Sequence, residues 1–184
     1  MAPVESVVRH AGGGAVLVGP WMLSVSIALP SAHALVEGSL TNSYRWLGEL
    51  FASLLQRCGI AAHALTPEQA RTLQLEATDV DLGWACFGGY SAWEVVVGRQ
   101  KIVGLAQVRK RTGTLLVAGV LLERPHWEWL GEVLQKPLSD IVALAARTTS
   151  CAQQSRHAWS LAEIATPLSL ALTEALAQPQ PTLK

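Results

Sequence analysis

The chain has 184 residues, half of them hydrophobic and only 15% charged, with 14 Lys and Arg against 14 Asp and Glu. That length suffices for one domain with a buried core, and zero net charge removes any general drive toward nucleic acid or an anionic membrane surface. Three widely spaced cysteines, Cys58, Cys86 and Cys151, form no Cys-x-x-Cys and have no paired His, so neither a metal site nor a disulfide framework is supported and a reducing, cytoplasmic setting is expected.

The first feature along the chain is Gly12-Gly13-Gly14-Ala15-Val16-Leu17. Three consecutive glycines expose backbone N–H groups and let a ligand approach closely. The segment lacks the Gly-Lys-Ser/Thr ending of a P-loop and opens into a strand rather than a helix, so it is no Rossmann fingerprint. A plain flexible turn is the alternative reading. Arg9, three residues ahead, is placed to offer a fork to a phosphate. Arg9-His10, the apolar run from Ala15 to Pro30 and Ala32-His33-Ala34 mimic a secretory signal. Pro20 interrupts that run, however, and Ser24 and Ser26 alternate with Leu23, Val25 and Ile27, which reads as a strand with one polar face. Strands are therefore expected over 15–18 and 22–29. No run approaches the ~18 uncharged apolar residues of a membrane helix.

Helical spacing of Trp46, Leu47, Leu50, Phe51, Leu54, Leu55 and Cys58 predicts a helix from about Thr41 to Cys58, ended by Gly59. Thr66-Pro67-Glu68-Gln69 opens a second: a capping hydroxyl, Pro at the first helical position, and Gln three residues on. Residues 92–98 and 101–108 read as a β-hairpin turning at Gly98-Arg99-Gln100, with a third strand over 113–122. Helices follow near 126–135, 138–147 and 160–177, and the tail 178–184 is expected to be disordered. Strands first and helices later predict one α+β domain, 1–177, built on a mixed, largely antiparallel sheet packed with helices.

Two residues carry candidate chemistry. Lys101 stands inside an otherwise apolar strand with no Asp or Glu within six residues, so a ligand's anionic group is an attractive partner; the alternative is a lysine that snorkels to solvent. Gly104, three positions on, would let a ligand reach the strand. Cys86 lies in the loop Trp84-Ala85-Cys86-Phe87-Gly88-Gly89 ahead of the hairpin. A thiol facing an ammonium is a stronger nucleophile; an inert, semi-buried cysteine is the alternative.

These segments resemble the lipoate–protein ligase A family, which includes the octanoyl-carrier-protein:protein octanoyltransferases and shares the fold of biotin protein ligases and class II aminoacyl-tRNA synthetases. Arg9 to Ser26 resembles the family's Arg-x-x-Gly-Gly-Gly-Ala-Val segment. Gly98 to Gln107 resembles its Gly-Arg-Lys-Ile-x-Gly-Ser-Ala-Gln signature, and Trp84 to Val97 the Cys-Phe-x-x-Pro-Ser-Trp-Tyr-Glu-Leu-Val-Val stretch of the cysteine-dependent octanoyltransferases. Arg147-Thr148-Thr149 looks like its late Arg-x-Thr-Ser element.

The resemblance implies attachment of a lipoyl or octanoyl group to a lysine of a lipoyl-carrier domain, such as glycine cleavage H protein or a dehydrogenase acyltransferase subunit. In a ligase, ATP with Mg2+ and lipoate or octanoate would give an acyl-adenylate held by Lys101 and by Arg9, Gly12, Gly13, Gly14, Ala15, Val16, Leu17 and Gly104. In a transferase, Cys86 would take the acyl group from acyl carrier protein with no cofactor. No resident metal site, nucleic acid or membrane is implied. Leu23, Val25 and Ile27, with some of the Trp residues, are the expected pocket wall. The chain departs from the pattern at Val18, where the family has His, at Ser24, where it has Asn or a similar polar residue, at Leu105, where it has Ser, and at Ala118-Gly119, where it has His-Gly. It also begins almost at the Gly segment. A misassigned start, a second subunit supplying the opening helix and strands, or a reduced homologue would each account for that. A non-catalytic acyl-binding or partner subunit is the alternative function.

Overall fold

The computed structural model describes residues 4–9, 11–77, 80–155, 157 and 159–177. The expected tail at 178–184 lies outside the described residues. Eleven helices and strands follow in the order β1 (Met22–Pro30), α1 (Arg45–Arg57), β2 (Ala62–Ala64), α2 (Pro67–Glu76), β3 (Val95–Val97), β4 (Gln100–Lys110), β5 (Gly113–Leu121), α3 (Trp127–Val133), α4 (Leu138–Ala146), α5 (Cys151–Ser155) and α6 (Leu161–Ala177). Short 3-10 turns at Ala34–Val36 and Asn42–Tyr44 lead into α1.

The five strands form one antiparallel sheet in the order β1-β5-β4-β3-β2. Alternation sets its two faces. On one, Ile27 and Leu29 of β1 and Leu116, Ala118 and Val120 of β5 pack with Leu47, Phe51, Leu54 and Leu55 of α1 and Ile164 and Leu168 of α6. Each such large side chain stabilises the fold by roughly 1.5–3 kcal/mol when fully buried. A second cluster joins Leu17, Trp21, Leu82, Phe87 and Leu121 to Trp127 and Leu130 of α3 and Ile141 and Leu144 of α4.

The α2 cap forms as its sequence predicts: Gln69 N–H donates to Thr66 Oγ1 at 3.2 Å and Thr66 N–H to Gln69 Oε1 at 2.9 Å. The strand expected over 15–18 does not form. Ala15 alone bridges, parallel, to Ala85, because the backbone here is tied to the 84–86 loop rather than to the sheet. The apolar stretch that mimics a secretory signal contains β1, paired along its whole length with β5.

Candidate active site

The site lies where the Gly segment, the Cys86 loop and β4 meet. Ala15 N–H donates to the Trp84 carbonyl at 2.7 Å and Cys86 N–H to the Ala15 carbonyl at 2.8 Å, so the Gly segment and the cysteine loop run as a short parallel zipper. Gly14 makes this approach possible. A Cβ there would stand 2.3 Å from the Trp84 oxygen. At Gly13, φ is +104°, and a Cβ would meet Arg9 Nη2 at 3.0 Å and Cys86 Sγ at 3.6 Å. The guanidinium and the thiol thus face the same glycine. Arg9 Nη2 also donates to the Gly14 carbonyl at 2.8 Å, which folds the N-terminal segment over the site.

Phe87 lays its ring on the sheet: a Cβ on Gly104 would stand 3.3 Å from Phe87 Cζ. Lys101 Nζ lies 5.7 Å from the centroid of the same ring. In a regular strand, positions 101 and 104 would face opposite sides. They meet one ring because β4 carries a bulge: Val95 and Val96 are adjacent in β3, yet pair with Val103 and Lys101. Ile102 is the extra residue, and it joins Val103 in the first core cluster. The bulge turns Lys101 toward the cysteine loop.

Lys101 is only 1% exposed. Its ammonium is held by Glu94 Oε2 at 2.7 Å and donates to the Cys86 carbonyl at 3.2 Å. The expected unpaired lysine is therefore paired within the chain, and the snorkelling alternative is also wrong. A six-residue window missed Glu94 because the partner sits seven positions back, across the hairpin turn. Burial holds the Glu94 carboxyl above the usual carboxylate range, against the pull of Lys101 and of the Ser91 and Leu105 N–H groups. Arg147-Thr148-Thr149 braces the start of β4. Lys101 N–H donates to the Arg147 carbonyl, Thr149 N–H donates to the Lys101 carbonyl, and the Arg147 guanidinium binds the carbonyls of Gly88, Ala77 and Val80.

A cavity of about 170 Å³ opens between this assembly and the sheet. Arg9 and Cys86 stand on its wall, with Phe87, Val16, Val18 and Met22; Gly104, Ala106, Val117 and Gly119 are among its floor residues. Its lining, among the described residues, is apolar apart from Arg9, Ser24 and the thiol. Among the described residues, no three His, Cys, Asp or Glu side chains converge as a metal site.

The profile of the lipoyl protein ligase A/B catalytic domain family matches residues 2–173. The chain belongs to this family. It is 34% identical over 173 residues to octanoyltransferase LipM of Kyrpidia tusciae, which covers 93% of this chain and 60% of that protein. The chain thus spans about three fifths of the length of that curated relative. A lipoate–protein ligase A bound with ATP superposes with a TM-score of 0.64 at 20% identity, over 91% of this chain and 57% of that one. A biotin protein ligase from Aquifex aeolicus does so with a TM-score of 0.54 at 13% identity, over 85% and 53%. The α+β architecture is thus the lipoate and biotin protein ligase fold, of the class II synthetase type.

Within this family domain, the candidate residues separate into groups. Arg9, Val16, Cys86 and Gly104 line the cavity. Gly13, Gly14 and Ala15 adjoin it through the zipper. Lys101 sits behind the Cys86 carbonyl and is not one of the lining residues. Gly12 has no atom within 4 Å of a would-be Cβ. Leu17 is a core residue of the second cluster whose carbonyl accepts the Trp21 indole N–H at 3.3 Å. The expected wall of Leu23, Val25 and Ile27 does not form: these pack on the α1 side, and alternation gives the cavity Met22 and Ser24 instead. No Trp lines this cavity either, because Trp21 and Trp127 are buried in the second cluster beside it. The four positions that depart from the family pattern, Val18, Ser24, Leu105 and Ala118, all line it. Glu94, Phe87, Ala106 and Val117 went unrecognised in the sequence, and only the strand alternation carried a signal for the last two.

Proposed function

We propose that this chain transfers a medium-chain acyl group, octanoyl by preference, through a thioester on Cys86 to a lysine of a lipoyl-carrier domain. The observation that carries this reading is the half-buried Cys86 thiol on the wall of an apolar cavity of about 170 Å³. In the first half-reaction the thiolate attacks the thioester carbonyl of an acyl carrier protein. The new S–C bond forms, the carrier's C–S bond breaks, and the carrier thiolate leaves and takes up a proton. In the second, the acceptor lysine amine attacks the Cys86 thioester, an amide forms, the amine's proton is released and the Cys86 thiolate departs. A fixed cation close to such a carbonyl stabilises its developing negative charge; Arg9 at the cavity wall, and Lys101 through the Cys86 peptide, are the candidates. Three free cysteines among the described residues suit a reducing, cytoplasmic compartment.

The ATP-dependent route has less support. A phosphate cradle needs free donors, yet Ala15 N–H is committed to the Trp84 carbonyl, and one Arg9 N–H goes to the Gly14 carbonyl. Leu17 points into the core. Two of the positions that the ligase route would use, Ala15 and Leu17, are thus turned away from a triphosphate. A second reading, acyl binding without catalysis, draws on the same cavity. Its wall is apolar at Val18, Leu105 and Ala118, and among the described residues that line it none is a carboxylate or an imidazole that could act as a base.

Intact-mass analysis of a lipoyl domain decides among the three. Octanoyl mass gained from octanoyl carrier protein, and abolished by Cys86→Ser, is the expected result. Mass gained only with ATP and free octanoate would point to the ligase, and no gain under either condition to the binding role.

A further inference from the structure

Glu94 is the buried acid of the described residues, 3% exposed, and the chemistry above gives it no role. Its carboxylate is fixed on three sides. Oε2 accepts Lys101 Nζ at 2.7 Å and Ser91 N–H at 2.8 Å, and Oε1 faces Leu105 N–H at 3.4 Å, beyond the last residue that β3 pairs with β4. The backbone aims it there. Trp93, the preceding residue, has φ +68°, a conformation that L side chains rarely adopt. Trp93 N–H and the Glu94 carbonyl are both bonded to Leu65, which holds the turn in place. Backbone strain one residue ahead of a buried carboxylate is a mark of a position the structure over-determines.

The same carboxylate reaches the thiol's own residue through one intermediary. Lys101 donates to the Cys86 carbonyl at 3.2 Å, while Cys86 N–H is held by Ala15. Both backbone groups of Cys86 are thereby fixed. Stability alone does not call for an ion pair here, since a well-packed apolar pair of similar volume does as well or better in a protein interior.

We propose that Glu94 is a positioning residue for acyl transfer: by anchoring Lys101 it fixes the Cys86 carbonyl, and so sets the thiol at the cavity wall. This rests on the thioester reading given under Proposed function. Glu94 touches no reacting atom. Its link to the thiol passes through Lys101, which gives the role a signature that a general loss of packing lacks.

The test is single-turnover acylation by 4-nitrophenyl octanoate. The Cys86 thiolate attacks the ester carbonyl, the S–C bond forms, the aryl C–O bond breaks and 4-nitrophenolate leaves as a burst. Rate constants are compared for the natural chain, Glu94→Gln, Lys101→Met and the double variant, with thermal melts as the check on folding. Expected for Glu94→Gln is a full burst whose rate constant at saturating donor falls about tenfold or more, with half-saturation unchanged within about twofold, as misplacement of a nucleophile by a fraction of an ångström would give. In the Lys101→Met background, adding Glu94→Gln should slow the reaction no further. A natural rate in Glu94→Gln, or a full additional loss in the double variant, overturns the proposal. If Glu94→Gln alone does not fold, Lys101→Met against the double variant still decides: neither holds an unpaired lysine, and the double variant also removes the carboxyl that Lys101→Met leaves without its cation. A slower double variant then overturns the proposal, while an equal or faster one supports it. Absence of any burst in the natural chain overturns the thioester reading with it, whereas a burst that is indifferent to Glu94 removes the role of Glu94 alone.

Discussion

Gly14 and Trp84 touch through backbone: a Cβ on Gly14 would stand 2.3 Å from the Trp84 carbonyl oxygen and 2.8 Å from Ala85 N. That oxygen already accepts Ala15 N–H at 2.7 Å, so it cannot move aside without breaking the zipper that carries Cys86. Gly14→Ala should cost about 1–3 kcal/mol, the range for forcing an extra carbon into a packed site, and should also slow acylation of Cys86. Gly12→Ala is its control. Nothing lies within 4 Å of that Cβ, so stability should change by less than about 0.5 kcal/mol. Urea unfolding of the two variants measures the difference, and equal midpoints would mean that the zipper is not tight.

Glu163 gives a pH prediction. The Ser160 hydroxyl first, then the Ser160 N–H and the His157 side chain, pull its carboxyl down from 4.5 to about 2. The geometry is a capping box, with Ser160 N–H donating to Glu163 Oε2 at 2.8 Å and Glu163 N–H to Ser160 Oγ at 3.3 Å. A carboxyl with a depressed folded value leaves the unfolded chain binding more protons in the window between. Its stabilisation is full above about 4.5 and is lost as pH falls through about 2. The start of α6, which inserts Ile164 and Leu168 into the first core cluster, should therefore loosen in that window. Helical circular dichroism from pH 5 to pH 2 should show a step in the natural chain that Glu163→Gln lacks; identical curves would count against the cap.

The three thiols should react in a fixed order. Cys151 is wholly buried, and burial, with Cys58 nearby, pushes it up to about 12. Burial also raises Cys58. Cys86 stands half-buried on the cavity wall. Iodoacetamide at pH 8 should therefore modify Cys86 first, Cys58 more slowly and Cys151 only after unfolding, because thiolate content and access control the rate. Peptide mass mapping reads the order. Acyl transfer should disappear in step with the Cys86 adduct, and activity that survives full Cys86 alkylation would remove it from the mechanism.

What the sequence made legible was local. The α1 stripe, the Thr66–Gln69 cap and the turn at Gly98 each depend on residues within one turn or one hairpin, and each formed as its spacing predicts. The short β2 was not legible, because three residues become a strand only by pairing with β3. Nor was α5, five residues long, whose Ala152 N–H is held by the carbonyl of Leu122, one residue past β5. Residue type and spacing pointed to Arg9, Gly13, Gly14 and Cys86, which lie on or beside the cavity, and to Lys101, which lies behind the Cys86 carbonyl. They could not find Glu94, a neighbour across the hairpin, or foresee that the bulge at Ile102 would aim Lys101 at the cysteine loop. The strand alternation was read correctly at Ser24, but the wrong face was assigned to the cavity.

Ala106 tests whether the acyl tail lies on the sheet. It is 9% exposed and forms part of the cavity floor with Gly104, Val117 and Gly119. Ala106→Leu puts three more carbons into a space of about 170 Å³, which should exclude the far end of an octanoyl chain and leave room for a short one. Each methylene recognised by an apolar pocket is worth about 1–3 kcal/mol in kcat/KM. The octanoyl donor should thus lose about tenfold or more against a butanoyl donor when both compete for one preparation of enzyme. The replaced side chain leaves the Gly14–Trp84 zipper and the Lys101–Glu94 pair untouched, so Cys86 should still react with iodoacetamide at its natural rate. Equal losses for the two donors, with that alkylation rate preserved, would place the tail somewhere other than this floor.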